Sequence, residues 1–142
     1  MLFRSARTDA VTVEGLSAAI ARANAYLAAG AEMIFAEAVE SRNDFRLICE
    51  AVKAPVLANM TEFGRTPTFS LAELRSAGVS MALYPLTAFR AMNAAARTAY
   101  ATIRKEGSQA SIIDALQTRE QLYEVLDYHT AENRINDRKS QS

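Results

Sequence analysis

Four times along this sequence, a short apolar run precedes a segment whose apolar residues recur with helical spacing. Apolar runs without polar alternation are typical of strands that are buried on both faces, and such strands occur in parallel sheets covered by helices. The alternation predicts an α/β fold with four parallel strands in sequential order and right-handed crossovers. The predicted strands begin near Phe3, Met33, Val56 and Val79.

Capping residues mark the boundaries of the helices between these strands. Ser70 and Glu73 have the spacing of a capping box, in which each side chain accepts a hydrogen bond from the backbone N–H of the other residue. Pro55 prevents the second helix from continuing, so the chain enters the third predicted strand directly and leaves it at Asn59. Similar start signals occur at Ser41 with Asp44 and at Thr118 with Gln121, and helix-ending glycines occur at Gly30, Gly78 and Gly107.

Two architectures contain four parallel strand–helix units: an open doubly wound sheet and part of a (β/α)8 barrel. No glycine-rich phosphate loop follows the first predicted strand, which counts against a dinucleotide-binding sheet. The barrel is favoured because a residue with a polar group follows every predicted strand, and barrel enzymes place their chemistry at these strand ends. These exit residues are Arg7, Glu37, Asn59 and Tyr84.

A complete barrel takes about 250 residues, whereas this sequence has 142. We therefore expect a truncated chain that forms a partial TIM-type barrel, with half of the usual strand–helix units. Residues 1–108 would form this half-barrel, and residues 109–133 would form a C-terminal helical extension. The polar and charged residues 134–142 predict a disordered tail.

Composition excludes several classes of function. Half of the residues are apolar, and 16 acidic side chains balance 16 basic ones, so no strong charge attracts nucleic acid or an anionic membrane. No apolar run approaches the roughly 20 residues that cross a bilayer, and the first residues lack the apolar core of a signal peptide. Cys49 is the only cysteine, which excludes a disulfide framework and a cysteine-based zinc site. The sequence predicts a globular, cytoplasmic protein.

The loop after the third predicted strand carries the most distinctive motif, Asn59-Met60-Thr61-Glu62-Phe63-Gly64-Arg65-Thr66-Pro67. Together with three further motifs, it closely resembles the 2-methylisocitrate lyases, a family in the isocitrate lyase and phosphoenolpyruvate mutase superfamily. The resemblance runs from about Arg7 to about Asn133 and corresponds to the C-terminal half of the family's barrel. The other motifs are Ala6-Arg7-Thr8-Asp9-Ala10, Phe35-Ala36-Glu37-Ala38 and Tyr84-Pro85-Leu86-Thr87-Ala88-Phe89-Arg90-Ala91-Met92-Asn93.

The resemblance implies a reaction and a set of substrate-binding residues. The family cleaves 2-methylisocitrate to pyruvate and succinate in the methylcitrate cycle of propionate catabolism, using Mg²⁺ and a cysteine acid. By the same resemblance, Arg7 would bind a carboxylate of this small tricarboxylate substrate, and Glu37 would lie near the metal ion and the substrate hydroxyl. A planar guanidinium suits such a role because it binds a carboxylate bidentately. Further contacts to anionic groups would come from Asn59, Met60, Thr61, Arg90 and Arg119.

Other interpretations of these residues stay open. Without the resemblance, Arg90 and Arg119 would be solvated helix charges, which is the usual role of arginine on a helix. Glu37 follows an apolar run, so burial of its carboxylate would require a partner or a metal ion. Glu62 and Asp9 are ambiguous, because turn formation or helix capping would also explain them.

Two parts of the family's catalytic apparatus have no counterpart in this sequence. The family carries its cysteine in a Lys-Lys-Cys-Gly-His or Lys-Arg-Cys-Gly-His loop and its metal-binding aspartates on earlier strands, and neither motif occurs here. Cys49 lies in the apolar stripe of a predicted helix, where a buried small hydrophobic role is expected. His129 is interpreted as a packing or surface residue. We therefore expect this chain alone to be inactive and not to bind Mg²⁺, with Glu37 only near the metal site.

Three hypotheses about function stay open. The first is a fragment or split half of a magnesium-dependent carbon–carbon lyase that keeps its substrate-binding wall. The second is a non-catalytic interaction module or pseudo-enzyme. The third is a fragment of another superfamily member, such as an oxaloacetate decarboxylase. Because half a barrel exposes sheet edges and an apolar helix stripe, we also expect homo-oligomerisation or association through the C-terminal helices.

Overall fold

The computed structural model describes the backbone of residues 4–140 and the side chains of residues 4–134. Four short strands alternate with helices, and further helical segments complete the chain. Within these described residues, no helix is both long and apolar enough to span a membrane. The elements are β1 (Ser5–Thr8), α1 (Ala10–Glu14), α2 (Leu16–Ala28), β2 (Met33–Ala36), α3 (Arg42–Val52), β3 (Val56–Asn59), α4 (Leu71–Ser76), β4 (Met81–Leu83), α5 (Thr87–Glu106), a 3-10 helix (Ala110–Ala115), α6 (Arg119–Val125) and α7 (Tyr128–Ser140).

The four strands form one parallel sheet in the order β1-β2-β3-β4. In its register, Phe35 of β2 lies opposite Arg7 of β1 on one side and Leu57 of β3 on the other, and Asn59 lies opposite Leu83 of β4. The predicted α/β fold with four parallel strands in sequential order is confirmed. The predicted start of the first strand, near Phe3, falls outside the described residues.

The helical segment between β1 and β2 consists of two helices, whereas its apolar spacing predicts one. Gly15 separates them with a φ of 87°, in the left-handed region that glycine adopts without the steric penalty of a Cβ atom. A Cβ atom at this position would have no atom within 4 Å, so the backbone conformation, and not the space, favours glycine there.

The core lies on the face of the sheet that the helices cover. Side chains alternate between the two faces of a strand, and every second residue of β2 and β3 belongs to this core. Helix α3 supplies the largest buried side chain, Phe45, whose ring meets Phe69 edge-on at 6.3 Å between centroids. The strand residues are Ile34, Ala36, Val56 and Ala58, and the helix residues opposite them include Ala23, Ile48, Val52 and Leu74.

The opposite face of the sheet is buried at its centre and exposed at its β4 edge. Met33 and Leu57 on the central strands are buried, but Met81 and Leu83 on β4 are 48% and 37% exposed. Within the described residues, β1 pairs only with β2 and β4 only with β3, so each edge strand has one side without a neighbouring strand. Apolar side chains and backbone hydrogen-bonding groups therefore remain accessible on β4.

The chain divides into two compact units, Met1–Asn93 and Ala94–Ser142. The first unit contains the whole sheet and the first helices. Helix α5 runs through the division and ends at Glu106. The boundary after residue 108 that the sequence predicts between half-barrel and helical extension follows the end of this helix.

The described part of the second unit is helical and begins with the C-terminal part of α5. Its helix α6 begins with the predicted capping box: Gln121 N–H donates to Thr118 Oγ1 at 3.2 Å, and Thr118 N–H donates to Gln121 Oε1 at 2.9 Å. Helix α7 covers Tyr128–Ser140, so the disordered tail predicted for residues 134–142 overlaps the second half of a helix. No proline or glycine interrupts this stretch, which lets the helix continue. Residues 141–142 lie outside the described part of the chain.

Candidate functional site

The parallel sheet brings the four strand exits to one edge. Backbone hydrogen bonds continue one residue past two of the strands: Glu37 N–H donates to Thr8 O at 3.0 Å, and Met60 N–H donates to Leu83 O at 2.8 Å. These bonds fix the first residues of the loops, so the side chains there have defined positions. Three predicted site residues meet at this edge, namely Arg7, Glu37 and Asn59.

Two acids and one ring surround the guanidinium of Arg7. Its Nε and Nη2 donate to the Asp9 carboxylate at 3.1 and 2.7 Å, and its Nη2 lies 3.5 Å from Glu37 Oε2. Its Cζ lies 4.9 Å from the ring centroid of Phe35, a cation–π distance. The hydrogen bonds between Arg7 and Asp9 raise the pKa of Arg7 and lower the pKa of Asp9. The guanidinium is therefore charged and held in place, although its side chain is half-exposed.

A chain of hydrogen bonds connects the exit of β3 to the exit of β2. Thr61 Oγ1 donates to Asn59 Oδ1 at 2.9 Å, and Asn59 Nδ2 donates to Glu37 Oε2 at 3.4 Å. The two bonds orient the amide so that its donor faces the carboxylate. Because Arg7 contacts the same Glu37 oxygen, these four residues form one continuous polar group, which we call the rim cluster.

Met60 lies beside rim residues in the sequence but belongs to the core in the structure. Its side chain is buried in the hydrophobic cluster, and its N–H is bonded to Leu83 O. Residues two apart in an extended segment point to the same side, so Met60 points away from the side shared by Asn59 and Thr61. The side chain and N–H of Met60 thus have partners within the protein, and its carbonyl oxygen accepts hydrogen bonds but cannot donate one to an anion. The anion contact assigned to Met60 stays a prediction.

A second polar group joins the loop after β3 to the start of α5. Thr87 Oγ1 donates a short hydrogen bond to Glu62 Oε1, and Arg90 Nε lies 3.4 Å from Glu62 Oε2. The ring centroid of Phe63 lies 5.3 Å from Arg90 Cζ. The hydrogen bond from Thr87 lowers the pKa of Glu62, and the charge of Arg90 acts in the same direction. We call these four residues the loop cluster.

The loop cluster contains residues to which the sequence assigned no role. The sequence predicts an anion contact for Arg90, leaves Glu62 ambiguous, and shows Thr87 and Phe63 only as parts of longer motifs. The available signal was helical spacing: Thr87 and Arg90 stand three residues apart in α5 and so lie on one face of it. A carboxylate in the preceding loop is a natural partner for such a face.

Two further predicted residues belong to neither cluster. Tyr84 follows β4 at the same edge of the sheet and is about half-exposed. Arg119 is the first residue of α6 in the second unit, and its position is described within that unit alone. Its role as an anion contact stays a prediction.

Cys49 is half-buried, and the side chain of His129 is 74% exposed at the surface. Burial raises the pKa of the Cys49 thiol to about 11, so the thiol is protonated at neutral pH. A Cβ atom at Gly78 would lie 3.0 Å from the Cβ of Cys49, which shows how closely α3 is packed there. In the second unit, the ring of His129 lies edge-on to Tyr123 and Tyr128, at 5.5 and 5.6 Å between centroids.

The rim cluster suits the binding of an anion better than the binding of a cation. Magnesium prefers an octahedral set of oxygen ligands, commonly with one or two carboxylates. Among the described side chains, no three His, Cys, Asp or Glu residues cluster closely enough to hold a metal ion. Glu37 is the single carboxylate of the rim cluster, and its Oε2 already faces a guanidinium and an amide donor. These residues alone do not fit a complete magnesium site, but Arg7 and the amide of Asn59, which Thr61 orients, present donors that a carboxylate ligand needs.

Comparison with known proteins identifies relatives of the chain. The model of a family described as phosphoenolpyruvate phosphomutase matches residues 1–104, which include both polar clusters. The 2-methylisocitrate lyase of Escherichia coli (strain K12) is 57% identical over 130 residues, which make up 92% of this chain and 44% of that relative. The chain thus spans less than half the length of this curated relative.

Solved structures of related proteins also match this chain over about half of their length. A 2,3-dimethylmalate lyase, described as a member of the PEP mutase/isocitrate lyase superfamily, superposes with a TM-score of 0.83 and 29% identity, covering 94% of this chain and 46% of that one. A phosphonopyruvate hydrolase in complex with oxalate and Mg²⁺ shares the fold, with a TM-score of 0.74, 22% identity and coverage of 91% of this chain and 46% of that one. The predicted partial TIM-type barrel is confirmed, because the chain matches about half of each structure.

Proposed function

The chain belongs to the phosphoenolpyruvate phosphomutase family, and we propose that it forms the substrate-binding wall of a carbon–carbon lyase that cleaves 2-methylisocitrate to pyruvate and succinate. The observation that carries the proposal is the rim cluster, whose members contact one another at 2.9 to 3.5 Å. The 57% identity to a 2-methylisocitrate lyase favours this substrate over those of other family members.

The chemistry of this cleavage defines what the site must supply. Removal of the substrate hydroxyl proton turns that carbon–oxygen bond into the carbonyl group of pyruvate. The electron pair of the broken carbon–carbon bond goes to a carbon of succinate, which then takes a proton from an acid. The reaction therefore needs a base, cations for the substrate carboxylates and an acid on the opposite side of the broken bond.

In this proposal the rim cluster supplies the first two requirements. Arg7 binds a substrate carboxylate with the guanidinium that Asp9 and Phe35 hold in place. The second N–H of the Asn59 amide adds a donor at the same edge of the sheet, and the hydroxyl of Thr61 holds that amide in orientation. Glu37, at the centre of the cluster, faces the substrate hydroxyl group and is the base that accepts the hydroxyl proton.

The acid and the magnesium ligands belong, in this proposal, to a segment outside these 142 residues. Neither the cysteine loop nor the aspartate motif of the lyases occurs in the sequence. The chain also spans only 44% of the length of the E. coli relative. A bound Mg²⁺ ion would supply positive charge for oxygens that become negative during the cleavage.

Pyruvate release tests the division of the site between two segments. We expect no pyruvate from 2-methylisocitrate when the purified chain is incubated alone with Mg²⁺. Pyruvate should appear when the remaining part of the E. coli relative, outside the matched 130 residues, is added. Turnover by the chain alone near the ~10 per second of a typical enzyme would contradict the proposal.

Succinate binding tests the wall itself, and calorimetry measures it. Arg7→Lys keeps the charge but removes the planar fork, so we expect succinate affinity to fall roughly tenfold. Arg46→Lys is the matched control, because Arg46 is an equally exposed arginine whose ion pair with Glu50 lies on α3. Equal affinities of wild type and Arg7→Lys, or no succinate binding by the wild type, would contradict the assignment of Arg7.

A non-catalytic interaction module is the second candidate, and the exposed apolar residues Met81 and Leu83 favour it. It differs from the lyase wall in its expected results. The module would form a complex with the added segment but would neither bind succinate nor restore pyruvate release. A decarboxylase fragment would instead release pyruvate from oxaloacetate in the same complemented assay.

A further inference from the structure

The carboxylate of Glu62 has an environment that a turn or a helix cap does not explain. One oxygen, Oε1, accepts the hydrogen bond of Thr87 from the start of α5. The other, Oε2, is cut off from solvent and accepts no hydrogen bond from any described residue. Its nearest cation is Arg90, with Nε at 3.4 Å. A buried oxygen without a donor is unfavourable, so its position beside a guanidinium indicates an electrostatic role.

The backbone of the loop places Phe63, the residue after Glu62, beside the same arginine. Phe63 has a φ of 63°, in the left-handed region that residues other than glycine rarely adopt, and this conformation is typical of functional loops. The side chain is 93% exposed, so burial does not explain the conformation, yet its ring lies 5.3 Å from Arg90 Cζ. A Cβ atom at Gly64 would lie 3.3 Å from Thr61 O, which favours glycine in this tight turn.

We propose that Glu62 is a positioning residue: together with the ring of Phe63, it holds the guanidinium of Arg90 in the orientation that binds a substrate carboxylate. The inference rests on the proposed function in one respect, namely that Arg90 contacts the substrate. The contact with Glu62 is at Nε, and the N–H groups of the two Nη atoms are the donors with which Arg90 would bind a ligand carboxylate bidentately.

The rim cluster provides an internal parallel. Arg7 is likewise held by a carboxylate, Asp9, and by an aromatic face, Phe35. The carboxylate and the ring that hold Arg90 are consecutive residues, which the left-handed turn at Phe63 makes possible. Arg7 and Arg90 are each held by a carboxylate and an aromatic ring. A guanidinium that is ordered in this way loses less conformational entropy when it binds an anion.

The test uses the whole chain and two readouts. The first is the nuclear magnetic resonance signal of the Arg90 Nε–H group, which reports the contact with Glu62 without any ligand. We expect Glu62→Gln to shift this signal and to increase its hydrogen-exchange rate roughly tenfold. Glu50→Gln is the matched control, because it removes the carboxylate from the exposed pair with Arg46 on α3 and should leave the Arg90 signal unchanged.

The second readout is succinate affinity. Glu62→Gln should weaken binding roughly tenfold, and it should add little in an Arg90→Lys background, because the two residues act as one unit. Thr87→Val removes the hydrogen bond that Glu62 accepts at Oε1 without changing a charge, so a smaller loss in the same direction is expected. Glu62→Asp, which keeps the charge on a shorter side chain, should restore part of the affinity.

The outcomes separate this inference from the proposed function. If the wild type binds succinate and Arg90→Lys weakens binding while Glu62→Gln does not, the positioning role is overturned and the proposed function stands. If the wild type does not bind succinate, the proposed function fails, and the positioning role fails with it for lack of a substrate to position. An Arg90 Nε–H signal that is unchanged in Glu62→Gln also overturns the positioning role. If Glu62→Gln does not fold, Thr87→Val and Glu62→Asp decide the same questions.

Discussion

Each arginine of the two polar clusters is held by one carboxylate and one aromatic ring. The pairing fixes a long side chain that would otherwise sample many rotamers, and a guanidinium that is already ordered loses less entropy when it binds an anion. In each set the positive charge of the arginine also stabilises the ionised form of the carboxylate. The two sets are Arg7 with Asp9 and Phe35, and Arg90 with Glu62 and Phe63.

Asp9 and Glu62 should make the stability of the fold depend on acidic pH. The pKa of Asp9 is lowered by the hydrogen bonds from Arg7, and the pKa of Glu62 is lowered by the hydrogen bond from Thr87. Such groups add stability that is complete above the ordinary carboxyl pKa of about 4 and is lost as the pH falls through the lowered values. We expect the urea midpoint of unfolding to fall below pH ~4.

Asp9→Asn isolates one of these contributions. The asparagine side chain has no carboxylate that acid could protonate. The urea midpoint of the variant should therefore fall less steeply than that of the wild type below pH ~4. Above that pH, the variant should be the less stable of the two, since it lacks the charged hydrogen bonds to Arg7. Parallel curves for the two proteins would mean that the Arg7–Asp9 pair makes no net contribution to folding.

Residue positions could be predicted from the sequence where a strand end determines them. Arg7, Glu37 and Asn59 each lie within one residue of the last residue of a strand, so parallel pairing alone brings them together. The role of Glu62 could not be predicted in this way, because its partner Thr87 lies 25 residues later in the chain. The burial of Met60 was equally inaccessible, since its N–H is bonded to a strand that follows it by more than twenty residues.

Helix boundaries followed local rules closely. The predicted capping boxes at Ser70 and Thr118 both have their two reciprocal hydrogen bonds. At Ser41 the serine accepts from Asp44 N–H at 3.1 Å, but the shorter aspartate makes no return bond. The break at Gly15 was missed because a single glycine within an apolar helical pattern is also compatible with a continuous helix.

The capping box of α4 should contribute measurably to the stability of the fold. In the box, Glu73 N–H donates to Ser70 Oγ and Ser70 N–H donates to Glu73 Oε2, at 3.3 and 2.9 Å. Replacing an N-terminal cap by alanine leaves a helix donor without a partner, so Ser70→Ala should lower the free energy of unfolding by about 1 kcal/mol. Urea titration at neutral pH measures this change.

Ser70→Gly is the control for the same position. Glycine leaves the first turn open to water and is tolerated at caps, so its loss should be only a few tenths of a kcal/mol. Equal losses for alanine and glycine would show that the missing hydroxyl bond, rather than the desolvated helix end, determines the effect. No loss for either variant would mean that α4 does not depend on its cap.

At the scale of the whole molecule, the sequence predicted the order of the strands but not which apolar residues would remain exposed. Strand β4 reads as apolar as β3, yet Met81 and Leu83 are partly exposed while Leu57 is buried. The difference arises because β3 has a neighbouring strand on each side, whereas β4 has only one among the described residues. Position within a sheet is a property of the whole fold, so periodicity along one strand cannot reveal it.

Association is the prediction that follows at this scale. Helix α5 buries none of its residues, and its Phe89 and Met92 are 55% and 60% exposed. In the second unit, Leu122 and Leu126 are also exposed. Exposed large apolar side chains on each unit favour association, and an edge strand adds unpaired backbone groups. We expect sedimentation at micromolar concentration to show dimers or larger species.

A charge on α5 tests whether its apolar residues form the contact. Met92→Lys should shift the population toward monomer, because a buried lysine would lose its hydration without gaining a partner. Val13→Lys is the matched control: Val13 is 79% exposed on the short helix α1, at a distance along the chain from the apolar residues of α5, and its substitution should leave the association unchanged. A compact wild-type monomer with cooperative unfolding would contradict the prediction, and it would require the apolar residues of β4 and α5 to be tolerated in water without a partner.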